Sequence, residues 1–280
     1  MTDLESIPPP PSSTSPPQLE IASAPPVVRD PNRPAWGLLD VFLVTLFFVF
    51  ELLVVTSVVA LVARMNPALR HASLEALANA LSKDARAAVS TQVAAYVLLL
   101  AAIAMVVTFR SGGDFWKAIS WNAPDRKKLW GAVAIGCALA ALSTLAEGLL
   151  SRWIPESVPM DEFFRNARSA YLVAGFGILV APLVEEMYFR GFLYPALARW
   201  IGVTPAVILT SAGFAFLHRA QLANAVVPLL IIFTVGAVLN IVRVRTASVA
   251  AGVVVHVTYN FILFLMTFIA TGGFRHFDKH

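Results

Sequence analysis

The length of its apolar runs limits what this chain can fold into more than any other feature of the sequence. Blocks with few charges extend from about Trp36 to Ala63, Ala88 to Phe109, Leu129 to Leu150, Ala170 to Trp200, Val203 to His218, Leu222 to Ile241 and Ala247 to Ala270. About 20 residues rising 1.5 Å each cross the hydrocarbon of a bilayer, so these blocks read as seven spans, or eight if the long fourth block breaks. Charged residues make up 14% of the chain, against about 25% in an ordinary soluble domain. No polar shell can be made from so few, and lipid must be the solvent for most of the fold. Backbone groups in lipid have to bond to one another, which helices do locally. The predicted fold class is therefore all-α, a polytopic transmembrane helical bundle of seven or eight helices in a multi-pass integral membrane protein of a bacterial-type cell membrane.

Ten of the eighteen prolines fall in the first 34 residues, among Ser and Thr and with no aromatic side chain. Such a segment buries too little surface to order itself, so residues 1–34 read as a disordered proline-rich tail. It lacks a basic start followed at once by a short apolar core, and so does not read as a cleaved signal peptide. The expected organisation continues with N-terminal transmembrane helices over 35–165, a core carrying the polar motifs over 166–272 and a short polar tail over 273–280. The single cysteine, Cys137, lies inside an apolar block, so neither an internal disulfide nor a thiolate metal cluster is available. The net charge of +4 is spread between apolar blocks, which fits contact with a membrane surface and not nucleic-acid binding. Basic loop residues divide almost evenly between the two sides, with a small preference for a cytoplasmic N-terminus.

Ionisable side chains at bilayer depth cost about 2.5 to 3.5 kcal/mol each on the insertion scale, so each needs a reason. The fourth block holds Glu185, Glu186 and Arg190 among apolar neighbours. Residues four apart share a helix face, so Glu186 can pair with Arg190 while Glu185, rotated by about 100°, is left without that partner. A packing role would need one ion pair and no second carboxylate. Glu51 and Glu147 stand alone in their blocks, and for these a bundle-facing packing role is the simpler expectation.

His218 ends the fifth block. Glu186 lies 16 residues before Gly202 and His218 lies 16 after it, so in an antiparallel hairpin both sit about 24 Å from the turn, provided Pro195 bends the first helix without ending it. His256 and Asn260 share a face of the last block, about 15 to 21 Å from a turn expected between Arg243 and Thr246. Three helices thus aim polar groups at one layer. A carboxylate and an imidazole can deprotonate a water, directly or around a metal such as zinc. A histidine and an asparagine amide can donate to the oxyanion formed when that water attacks a carbonyl. The sequence has no His-Glu-x-x-His, Gly-x-Gly-Asp or Gly-x-Ser-x-Gly motif, which leaves a glutamate–histidine site for peptide hydrolysis.

Ala181 to Leu193, APLVEEMYFRGFL, resembles the Glu-Glu-x-x-x-Arg motif of the CPBP family (CaaX proteases and bacteriocin-processing enzymes, also called Abi), to which the type II CaaX prenyl proteases belong. Phe214 to His218 is similar to its Phe-x-x-x-His motif. Phe233, Gly236, Leu239, Thr246 and Ser248 resemble the approach to its His-x-x-x-Asn/Asp motif, here His256 to Asn260. The likeness covers about 100 residues, 170 to 270, and none of the first 165. It implies that Glu185 and His218 activate the water, that His256 and Asn260 form the oxyanion side, and that Glu186 and Arg190 support them. It also implies a membrane-anchored or prenylated peptide or protein as substrate. Some members are named metalloproteases and others metal-free glutamate enzymes; Glu185, His218 and His256 are the candidate ligands if a divalent metal takes part. A proton-coupled transporter and a catalytically silent scaffold or immunity protein are the alternative readings of the same buried charges.

Overall fold

The computed structural model describes residues 34–275; the proline-rich stretch up to residue 33 and the last five residues lie outside them. Among the described residues the chain is an all-α bundle without strands, in which six helices are long and apolar enough to cross a membrane. These are α1 (Leu38–Ala63), α3 (Ala85–Ser111), α5 (Arg126–Leu149), the composite helix Ala167–Ile201, α10 (Val226–Thr246) and α11 (Val249–Ala270). The fifth apolar block forms a shorter helix, α9 (Val203–His218). Two small helices, α2 (Leu74–Ser82) and α4 (Phe115–Ala118), sit in connections.

Side-chain caps set the starts of several of these rods. Asp84, Asp125, Asn166 and Ser248 each accept a hydrogen bond from a first-turn backbone N–H, of Arg86, Lys128, Ser169 and Ala251 respectively, satisfying a group that the helix itself leaves unpaired. α8 (Tyr194–Ile201) and α9 are joined by Gly202 alone, at φ +83°, a left-handed backbone that glycine adopts without steric cost.

The long fourth block does not break. It runs as α6 (Ala167–Gly175), a π-helical stretch Phe176–Val180, α7 (Ala181–Glu186), a second π-helical stretch Met187–Leu193, and then α8. Its two prolines explain the two stretches. A helical proline lacks an N–H and its ring crowds the carbonyl four residues earlier. For Pro182 that carbonyl belongs to Ile178 and for Pro195 to Gly191, each inside one of the widened segments. The wider turn accommodates the ring without ending the helix.

The main core surrounds this composite helix, where Met187, Tyr188, Phe189 and Phe192 pack with Leu99, Ile103 and Val107 of α3 and Val41 and Val44 of α1. Trp36 seals one end, donating its indole N–H to the Phe192 carbonyl at 2.9 Å. α5 lies parallel to α11: Gly136 is against Val255 and Thr258, Ser143 against Tyr259 and Thr144 against Met266. Large apolar side chains such as Phe42, Phe50 and Leu61 of α1 face outward, which suits a lipid surround and no aqueous one.

Two boundaries differ from the sequence reading. Arg243 and Arg245 were expected in a turn, but α10 continues through both to Thr246 and turns at Ala247, φ +49°. Arg243 is 1% exposed, and its Nε donates to the Arg190 carbonyl at 3.2 Å. A freed carbonyl in the second π stretch makes this buried position favourable for a guanidinium. Phe274, within the segment read as a polar tail, folds back against Phe164 and Tyr171.

Candidate active site

The two glutamates at the end of α7 part company. Glu186 is fully buried and accepts from Arg190 Nη1 at 2.8 Å, the partner four residues on. Arg190, also fully buried, donates through Nη2 to the Gly236 carbonyl of α10 at 2.9 Å, and its guanidinium lies 4.8 Å from the centre of the Phe214 ring. Glu185 retains 15% exposure and opens onto a cavity of about 420 Å³. The Tyr96 hydroxyl of α3 donates to its Oε1 at 2.9 Å.

His256 bridges the two carboxylates. Its Nδ1 is 3.1 Å from Glu186 Oε1 and its Nε2 is 3.9 Å from Glu185 Oε2. A carboxylate oxygen accepts, so Nδ1 carries a proton and Nε2 is the nitrogen turned toward Glu185. Glycine makes the approach possible: a methyl group at Gly252, one turn before His256, would stand 2.6 Å from Glu186 Oε2.

His218 ends α9 with Nδ1 2.8 Å from the Phe214 carbonyl one turn back. A carbonyl can only accept, so Nδ1–H is the tautomer and Nε2 keeps its lone pair. Asn260, one turn after His256, donates through Nδ2 to the Gly177 carbonyl at 2.7 Å. That carbonyl lies in the first π stretch, so the distortion around Pro182 supplies the acceptor that orients the amide.

Glu185, His218, His256 and Asn260 all line the one cavity. Glu186 and Arg190 stand behind its wall, with Phe214 between Arg190 and the rings of His218 and His256. The six residues singled out in the sequence thus form a cavity-facing group of four and a buried pair that holds His256. Among the described residues, no three His, Cys, Asp or Glu side chains are arranged to hold a metal ion. Glu185, His218 and His256 are not gathered into such a set, although each histidine has only Nδ1 engaged and keeps Nε2.

Two contributors were absent from the sequence reading, and a third was given another role. Tyr96 and Gln92, which hydrogen-bonds the same hydroxyl, come from α3, and the partner they serve is 89 residues away from Tyr96. Glu147 of α5 also lines the cavity, where a packing role was expected. Glu51 is buried at 4% exposure, and neither carboxylate oxygen has a protein hydrogen-bond partner among the described residues.

A comparison with known protein families fits this geometry. Residues 167–262 match the family model described as type II CAAX prenyl endopeptidase Rce1-like. No curated protein and no solved structure matches the chain at a significant level. The matched span runs from the start of α6 into α11 and includes all four cavity-facing residues and the buried pair behind them. Residues 167–262, about a third of the chain, are thus similar to the type II CAAX prenyl endopeptidases, which supports a CPBP/CaaX protease assignment for that segment.

Proposed function

We propose that the chain is an intramembrane endopeptidase that hydrolyses a peptide bond in a membrane-anchored or prenylated, CaaX-like substrate. The observation that carries this reading is the convergence of Glu185, His218, His256 and Asn260, from three helices, on one cavity. The apolar part of that cavity, which includes Phe164, Ile232 and Phe264, suits a substrate that arrives with a lipid or an apolar side chain.

In the proposed mechanism Glu185 takes a proton from a water while Nε2 of His218 orients it by accepting its other hydrogen. The water oxygen bonds to the scissile carbonyl carbon and the carbonyl π electrons move to oxygen. The second amide hydrogen of Asn260 donates to that oxyanion, and His256 does so through Nε2 when doubly protonated. The C–N bond then breaks, the proton held by Glu185 passes to the leaving nitrogen, and one water is consumed for one acid and one amine formed. Tyr96, Glu186 and Arg190 act as positioning residues: the first fixes Glu185, and the pair fixes the His256 ring. No step is routed through a metal, because the candidate ligands do not form a closed set.

Purified protein in detergent, given a fluorogenic prenylated CaaX-like peptide, tests this directly. Cleavage by the native chain and loss of at least about a hundredfold in Glu185→Ala are expected for removal of a general base. Full cleavage by Glu185→Ala sinks the assignment. Repeating the assay after thorough chelation, with metal analysis of the same sample, reads whether a divalent ion takes part.

A further inference from the structure

The cavity contains a second carboxylate that the mechanism does not use. Glu147 lines it from α5, outside the family-matched segment. Among the described residues it has no hydrogen bond or ion pair, and no Lys or Arg lines the cavity with it. A carboxylate in a membrane-spanning helix is costly unless something compensates it. Packing does not, since the residue is exposed and lines the cavity. Its place relative to the reacting groups follows from the parallel contact of α5 with α11. Ser143, one turn before Glu147 on the same face, lies 3.4 Å from the Tyr259 hydroxyl, next in sequence to Asn260. Glu147 is therefore displaced from that layer by about 6 Å along the helices, which is about two residues of an extended peptide.

Resting on the peptidase reading above, we propose that Glu147 is a substrate-recognition residue. It selects a peptide carrying a Lys or Arg side chain within about two or three residues of the scissile bond. The substrate cation supplies the charge partner that the protein leaves out. A neutral side chain at that position leaves the carboxylate without a charge partner in the cavity.

The test uses full-length protein in detergent and fluorescent peptides identical except for Lys, Gln or Glu at one position, scanned from three residues before to three after the cleaved bond. Anisotropy reads binding, and cleavage is followed in the same samples. At one position the native chain should bind the Lys peptide about tenfold more tightly than the Gln peptide, a difference of about 1.4 kcal/mol. Glu147→Gln should reduce the ratio to near one, and Glu147→Lys should reverse it in favour of the Glu peptide. Equal binding at every position by the native chain overturns the proposal, as does a Lys preference that survives both substitutions. Preference without cleavage supports Glu147 as a recognition residue and overturns the peptidase reading, so the two fail separately.

Discussion

At the scale of single residues, the pairing of Glu186 with Arg190 and its separation from Glu185 set the logic of the site. The pair is fully buried, and removing one partner leaves a charge without solvent and without its ion-pair partner. Glu186→Ala is expected to destabilise the fold by about 3–5 kcal/mol, seen as a large loss of the monodisperse peak in heated size-exclusion samples. Tyr96→Phe removes only the hydroxyl on Glu185. It should keep native thermal stability within about 1.5 kcal/mol, the usual worth of one hydrogen bond. Its kcat should fall about tenfold or more while KM changes little, as for a group that aligns a base and does not touch substrate. The i,i+4 pair was legible in the sequence because it is local. The Tyr96 contact was not, because nothing in the local pattern of α3 says which helix it will face.

At the scale of elements, the prolines of the composite helix and the glycines of its neighbours decide where side chains meet. The carbonyl of Gly177, freed within the π stretch before Pro182, orients Asn260. Gly136 lets α5 approach α11 so closely that an added methyl would lie 2.7 Å from both Thr258 Cβ and the Val255 carbonyl. Gly136→Ala should push these helices apart at a cost of about 1–3 kcal/mol, the usual range for overpacking. It should lower both the melting temperature and cleavage, because Val255 adjoins His256. The helix-level reading from sequence placed the spans well, since apolar length is a composition property. It misplaced the end of α10, because Arg243 looks like a terminator until the buried Arg190 carbonyl that receives it is known.

At the scale of the whole molecule, the outer surface of α1 and α5 is apolar while polar groups are gathered inside. Trp130 is 62% exposed and Trp36 1% exposed. In vesicles of lipids with brominated acyl chains, a chain with Trp130 as its only tryptophan should be strongly quenched. One with Trp36 alone should be shielded by the core. Equal quenching of the two would contradict the lipid-facing assignment of α5. The N-terminal helices contribute Gln92, Tyr96 and Glu147 to a cavity whose Glu185, His218, His256 and Asn260 lie in the family-matched segment. The proposed water-activating and oxyanion groups and the proposed selectivity residue thus come from different parts of the chain, with Tyr96 linking the two.

The sequence by itself determined the all-α membrane bundle, because long apolar runs leave the backbone no other way to satisfy its hydrogen bonds in lipid. It also singled out the six polar residues, because charge at bilayer depth is expensive and local spacing shows which can pair. Only the tertiary structure decided that Glu185 faces a cavity while Glu186 supports His256, and that Tyr96 and Glu147 join them. Those outcomes depend on helix rotation and on close approaches at Gly252 and Gly136, which arise from packing between segments far apart in the chain.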